Sequence, residues 1–142
     1  TGSILDKVAR KYLKTKKLDY AHGTGHGVGF FLNVHEGPQS ISKSNKVKLK
    51  PGMILSNEPG YYEKGNFGLR IENLIYIKKN KNGMKFENLT YAPIDKSLII
   101  KKLLNKKEIY WLNSYHKKVL EVLKKYMNKK ELILLKKSFS NI

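Results

Sequence analysis

The stretch HGTGHGVGFFLNVHEGP, residues 22–38, holds three of the four histidines in the chain. It also carries glycine at alternate positions 23, 25, 27 and 29. A run so rich in glycine is a poor helix. Its histidines therefore sit on extended or looping backbone, and three readings compete: a glycine loop that cradles phosphate, a metal site, or a histidine-rich surface loop. The phosphate reading fails on detail. The dinucleotide fingerprint G-x-G-x-x-G needs glycine where this chain has Val28 or Phe30, and no Walker-type lysine follows. There is also no G-x-S-x-G for a serine nucleophile and no H-E-x-x-H for a zincin.

Composition narrows the metal reading. The chain has 142 residues, 40% hydrophobic and 11% aromatic, enough for a real core. With no cysteine, any metal must be held by imidazole and oxygen donors, which points to manganese, zinc, cobalt or magnesium. No apolar run approaches the ~18 residues that would suggest a membrane span. The formal net charge of +18 raises the question of a nucleic-acid partner. However, lysine outnumbers arginine 27 to two, there are 12 asparagines, and residues 101–142 alone carry 12 lysines against three glutamates. A surface that reads phosphate or bases would be expected to use arginine forks. The pattern is that of solvated lysine faces, and nucleic acid is not the expected partner.

Outward from the histidine stretch, periodicity predicts the elements. TGSILDKVARKYLKTKK reads as a helix with Ile4, Leu5, Val8, Ala9, Tyr12 and Leu13 on one apolar face, and Ser3 with Asp6 resembles a capping box. Its start at the first residues suggests a chain that begins inside a larger domain. Residues 39–51 read as a polar loop. GMILSNEP gives a strand ending at Glu58, because Pro59-Gly60 must break it. LRIENLIYI alternates, with Leu69, Ile71, Ile75 and Ile77 on one face and Arg70, Glu72 and Tyr76 on the other. KKNKNG reads as a hairpin turn leading to a further strand in MKFENLTYAPI. The tail is helical, with Ile109, Leu112, Val119, Leu120 and Leu123 forming a stripe around Trp111 and Tyr115, and KKELILLKK closing it. His116 is expected on the surface or in helix packing. The fold class is α+β.

A cation site without cysteine needs donors converging from separate segments. The candidates are His22, His26 and His35 with Glu58 and Glu72. The flanking glycines would let backbone pass close to an ion and adopt positive φ. Arg70, two residues from Glu72, would hold that carboxylate or orient another donor. The competing reading of Arg70 and Glu72 is a structural ion pair.

In this order and spacing, HGTGHGVGFFLNVHEGP, LSNEPGYY and GLRIEN closely resemble aminopeptidase P, the Xaa-Pro aminopeptidases of the pita-bread metallopeptidases. WLNSYH is similar to the terminal extension of the cytosolic members. The resemblance implies the C-terminal portion of a pita-bread fold, a mixed and mostly antiparallel sheet with helices. Residues 1–95 would form the second half of the catalytic domain and residues 96–142 a C-terminal helical extension. It implies His26, Glu58 and Glu72 as metal ligands, with Glu58 also the general base. His22 and His35 would contact substrate and stabilise the transition state, with Arg70 and Tyr62 behind them. The implied cofactor is a pair of divalent ions, usually Mn²⁺, with Zn²⁺ or Co²⁺ as alternatives. The implied reaction is attack of a metal-activated hydroxide on peptides with proline in second position, in the cytoplasm. Two further ligands of that family are aspartates upstream of the histidine stretch, and this chain offers only Asp6, Asp19 and Asp95. The chain is therefore expected to be inactive alone and to need an upstream half of the catalytic domain as partner, with a homodimer as a further expectation. The alternative is a non-catalytic, basic binding module of the same fold.

Overall fold

Helix α1 (Gly2–Thr15) splits the expected apolar face: Leu5, Ala9 and Leu13 are partly buried, while Ile4, Val8 and Tyr12 lie outside. Its buried residues are Gly2, Asp6 and Arg10, spaced four apart. Asp6 is 1% and Arg10 3% exposed, whereas Ile4, Val8 and Tyr12 are 61%, 63% and 73% exposed. The expected capping box is not formed: the N-cap is Thr1, without a side-chain hydrogen bond. Asp6 instead accepts from Arg10 Nε at 2.8 Å and from Thr24 Oγ1 at 2.7 Å. Paired and hydrogen-bonded, two charges can occupy an interior that would reject either alone; breaking such a buried pair typically costs about 3–5 kcal/mol.

The computed structural model describes residues 1–31 and 33–138. They fall into two compact units, Thr1–Thr90 and Tyr91–Ile142. In the first, strand β1 (Gly25–His26) pairs with β2 (Ser40–Ile41), the latter inside the expected polar loop. Strand β3 (Ile54–Asn57) pairs with β6 (Asn73–Asn80), which pairs with β7 (Gly83–Asn88). Strands β4 (Gly60–Glu63) and β5 (Phe67–Arg70) form a hairpin of their own. All of these pairings are antiparallel. The β6–β7 turn is the two-residue Lys81–Asn82 loop expected from KKNKNG, with Gly83 at φ 125°.

LRIENLIYI is not one strand. It breaks at Ile71–Glu72, so Leu69 and Arg70 belong to β5 and Ile75 and Ile77 to β6, in a different sheet. Burial follows the break: Leu69 and Ile71 are 48% and 47% exposed, while Ile75 and Ile77 are 5% and 3%. Ile41, Leu55, Ile75 and Ile77 form the core of this unit, with Leu5, Leu49 and Met53 against them. At about 1.5–3 kcal/mol for each fully buried aliphatic side chain, this small cluster is the main hydrophobic anchor of the sheet.

In the second unit, helix α2 (Lys106–Leu123) starts at a full capping box. Asn105 accepts from the Lys107 and Glu108 amides, and Glu108 accepts from the Asn105 amide. Helix α3 (Lys129–Ser138) follows. Tyr115, Val119 and Leu135 form the core, joined by Tyr91, Ile94, Leu120, Leu123 and Met127. His116 is part of the packing rather than the surface, 3% exposed, and its Nε2 accepts from the Ile94 amide at 3.2 Å. Burial holds this imidazole below its usual value near 6.5. The unfolded chain therefore takes up the proton more readily than the folded one. The stability contributed by neutral His116 is complete above pH 6.5 and is lost as pH falls below it. Urea unfolding followed by the single tryptophan, Trp111, is expected to show a midpoint that drops between pH 7 and about 5, and less so in His116→Asn.

Candidate metal centre

The site is assembled by close backbone contact. A Cβ at Gly25 would run into the Ser56 carbonyl, and one at Gly27 into the Glu36 carbonyl. The glycines are thus needed for the approach of β1 to its neighbours. Positive φ is not their role, since among the described glycines it occurs at Gly52, Gly65 and Gly83 instead. Gly27 bridges Leu55 of β3, and the Glu58 amide donates to the Thr24 carbonyl at 2.7 Å. The end of β3 is thereby locked beside the histidine stretch.

His26, Glu58 and Glu72 come together here. Their donor atoms all lie within 4.8 Å of one another, the one such group among the described residues. His26 Nε2 is 3.5 Å from Glu58 Oε1. The other ring nitrogen, Nδ1, lies 2.9 Å from the Gly27 carbonyl, which can only accept, so Nδ1 donates to it and Nε2 is the nitrogen that faces the carboxylates. One imidazole nitrogen and two carboxylates at this spacing fit a divalent cation with donor distances of about 2.0–2.2 Å after a small adjustment. The second imidazole, His35, packs on His26 with ring centroids 4.1 Å apart.

Glu58 is buried and its direction is set by Ser56, a residue the motif reading passed over. The Ser56 hydroxyl accepts from the His26 amide at 2.9 Å and donates to Glu58 Oε1 at 2.9 Å. The i, i+2 spacing of Ser56 and Glu58 was the available signal. Glu72 does not lie on the polar face of a strand; it sits in the break between β5 and β6, half exposed. Arg70 lies between the two carboxylates, its Nη1 3.3 Å from Glu58 Oε2 and 4.0 Å from Glu72 Oε2. Its Nε donates to the Tyr62 hydroxyl at 2.7 Å, and that bond, with the nearby carboxylates, holds the guanidinium pKa above its usual value. The Tyr62 hydroxyl is 2.9 Å from His22 Nε2. Since His22 Nδ1 faces the Gly23 carbonyl at 2.7 Å and must donate to it, the neutral ring accepts from Tyr62 at Nε2. Arg70, Tyr62 and His22 thus form one chain of hydrogen bonds beside the three-residue cluster.

His26 on β1, Glu58 just beyond β3 and Glu72 between β5 and β6 form a cysteine-free group of one imidazole and two carboxylates of the kind that can hold a divalent metal. The chain belongs to metallopeptidase family M24: that family's model matches residues 1–79, and the model of the C-terminal region of peptidase M24 matches residues 82–142. It is 48% identical over 132 residues to a probable Xaa-Pro aminopeptidase P of Tuber melanosporum, covering 85% of this chain and 21% of that one. It is 47% identical over 127 residues to Xaa-Pro aminopeptidase 1 of Dictyostelium discoideum, covering 83% and 20%. Among solved structures, the X-prolyl aminopeptidase of Caenorhabditis elegans, described as a cytosolic enzyme with a di-nuclear active site, superposes with a TM-score of 0.89 at 40% identity, over 99% of this chain and 25% of that one. The prolidase of Pyrococcus furiosus reaches 0.53 at 39% identity, over 61% of this chain. The chain therefore spans about a fifth to a quarter of the length of these relatives. The α+β architecture is that of the M24 neighbours.

Proposed function

We propose that these residues carry one part of the catalytic centre of a metal-dependent Xaa-Pro aminopeptidase, which removes the N-terminal residue preceding proline. The observation that carries the reading is the convergence of His26, Glu58 and Glu72 within 4.8 Å. The choice of aminopeptidase over prolidase rests on coverage. The relatives named Xaa-Pro aminopeptidase match 83–85% of the chain at 47–48% identity and the C. elegans X-prolyl aminopeptidase matches 99% of it, so the match includes the second unit, which the 61% match to the prolidase need not. Residues 96–142 are, on this reading, the helical extension to a catalytic portion at residues 1–95.

His26, Glu58 and Glu72 would hold the ions, two divalent cations with manganese preferred for their carboxylate donors. When bound, such ions supply Lewis acidity to the scissile carbonyl and acidify the attacking water. Glu58 takes the water's proton and passes it to the departing nitrogen; Ser56 keeps Oε1 aimed at the cluster while it does so. His35 packs on His26 and His22 meets Tyr62, which places both imidazoles beside the cluster. On this reading they contact the substrate and donate to the developing oxyanion. The proline nitrogen offers no N–H, so recognition falls to ring shape and to the free amine.

The remaining ligands would come from an upstream half of the catalytic domain, packed on the exposed Ile4, Val8 and Tyr12 stripe of α1. The C. elegans relative, described as cytosolic, supports a cytoplasmic location. The full-length protein is expected to cleave Arg-Pro-Pro about 10²-fold or more faster than Arg-Ala-Pro. Equal turnover would point to a broader aminopeptidase, and cleavage confined to dipeptides to a prolidase.

A further inference from the structure

Only two of the 29 basic residues are arginines, and both stand in the network around the candidate site. Arg70 touches the carboxylates. Arg10, on α1, touches none of the proposed ligands, yet its guanidinium is the most heavily used cation in the described chain. Nε donates to Asp6 at 2.8 Å, Nη1 to Asp19 at 2.6 Å and to the Tyr20 carbonyl at 2.7 Å, and Nη2 to the His22 carbonyl at 2.5 Å. Its Cζ lies 3.8 Å from the centroid of the Tyr20 ring, whose centroid is in turn 4.9 Å from that of His22. A lysine has no planar fork and cannot reproduce four bonds in these directions. In a chain otherwise so biased to lysine, arginine stands where the fork is used.

The bonds converge on the segment that enters the histidine stretch. The partner carboxylates are fixed as well. Asp6 is tied to Thr24, whose hydroxyl also meets Tyr20 and whose carbonyl receives the Glu58 amide. Lys14, Arg10 and Lys43 hold Asp19 well below the usual carboxylate range. Asp6 and Asp19 are thereby committed as counterions of Arg10, far from the role of ligand.

We propose that Arg10 is a positioning residue for the reaction: by gripping the His22 carbonyl and the Tyr20 ring it sets the direction in which the His22 imidazole meets Tyr62 beside the cluster. The activity arm of this inference rests on the proposed aminopeptidase reading. Arg10 acts through His22, so its loss should appear in turnover rather than in metal content. In the full-length protein, Arg10→Lys is expected to lower kcat for Arg-Pro-Pro by about tenfold or more, with KM within about threefold and bound metal per chain unchanged. Asp19→Asn, which loosens the grip without leaving a buried charge unpaired, should lower kcat by about threefold in the same direction. In a His22→Ala background, Arg10→Lys should cost less than about twofold, because the group it orients is gone. Full additivity in that background, or unchanged kcat in both single variants, would overturn the proposal. If Arg10→Lys does not fold, Asp19→Asn carries the same comparison. A readout apart from catalysis is the imidazole carbon resonances of His22, expected to shift in either variant while those of His116 stay. Unshifted His22 resonances would also overturn it. A parent protein that hydrolyses no Xaa-Pro peptide would remove the proposed activity, and the resonances would still decide the role of Arg10.

Discussion

Glu58→Gln in the full-length protein is expected to lower kcat for Arg-Pro-Pro by about 10³-fold or more. Two effects add. A carboxamide is a far weaker ligand for a hard cation than a carboxylate, and it takes up no proton from water; loss of a general base alone costs about 10²–10⁴-fold. The substitution is nearly isosteric, and the Ser56 hydroxyl still has an oxygen to donate to. The fold should tolerate it: Glu58 and Glu72 are two like charges within one cluster, and removing one relieves repulsion that Arg70 only partly offsets. The thermal midpoint without metal should therefore stay level or rise. Steady-state kinetics, elemental analysis of bound metal and a thermal scan on one preparation check all three. A kcat within about tenfold of the parent, with metal retained, would mean that Glu58 is neither ligand nor base.

The histidine stretch, the carboxylate before Pro59 and the β6–β7 hairpin were readable from sequence because each has a local cause. Glycine spacing, proline geometry and turn chemistry act within a few residues. The helical tail was readable for the same reason, from its apolar stripe. Helix α1 misled because hydropathy assumes an apolar interior. Its inward side is Gly2, Asp6 and Arg10, and that side is stable only because Asp19, Tyr20, His22 and Thr24, up to 18 residues away, supply the partners. No window over the helix contains that information. The LRIENLIYI segment misled because period-two alternation continues through the break at Ile71–Glu72; strand pairing, not hydropathy, decides where one sheet ends. Ser56, which the motifs did not single out, and Tyr62, which the resemblance named without its partner, show a third limit. Their hydroxyls matter because of what lies opposite: the His26 amide, 30 residues from Ser56, and the His22 imidazole, 40 residues from Tyr62.

Residues 1–142 on their own are expected to bind divalent metal weakly and to hydrolyse no Xaa-Pro peptide. The described residues bring three protein ligands together, while a hard cation such as Mn²⁺ takes about six oxygen or nitrogen donors, so water must fill the rest. Arg70 is poised between Glu58 and Glu72 at 3.3 and 4.0 Å, and a cation entering the cluster must displace it or share the carboxylates with it. A chain at +18 adds a general repulsion against a divalent ion. The surface works against a stable monomer as well. Ile4, Val8 and Tyr12 project from α1, and Met84 and Phe86 from the edge strand β7, are 58% and 43% exposed. Apolar groups beside an unpaired strand edge favour self-association. Calorimetric titration with Mn²⁺ should give at most one weak site, and sedimentation should show species larger than 16.4 kDa. Adding a separately prepared upstream segment of the same protein should tighten metal binding and suppress the larger species, because the added chain supplies carboxylates to the cluster and covers the α1 stripe. Tight binding of two ions, or Xaa-Pro hydrolysis, by the 142 residues alone would show that they hold a complete centre, and the assignment of the remaining ligands to an upstream half would fall.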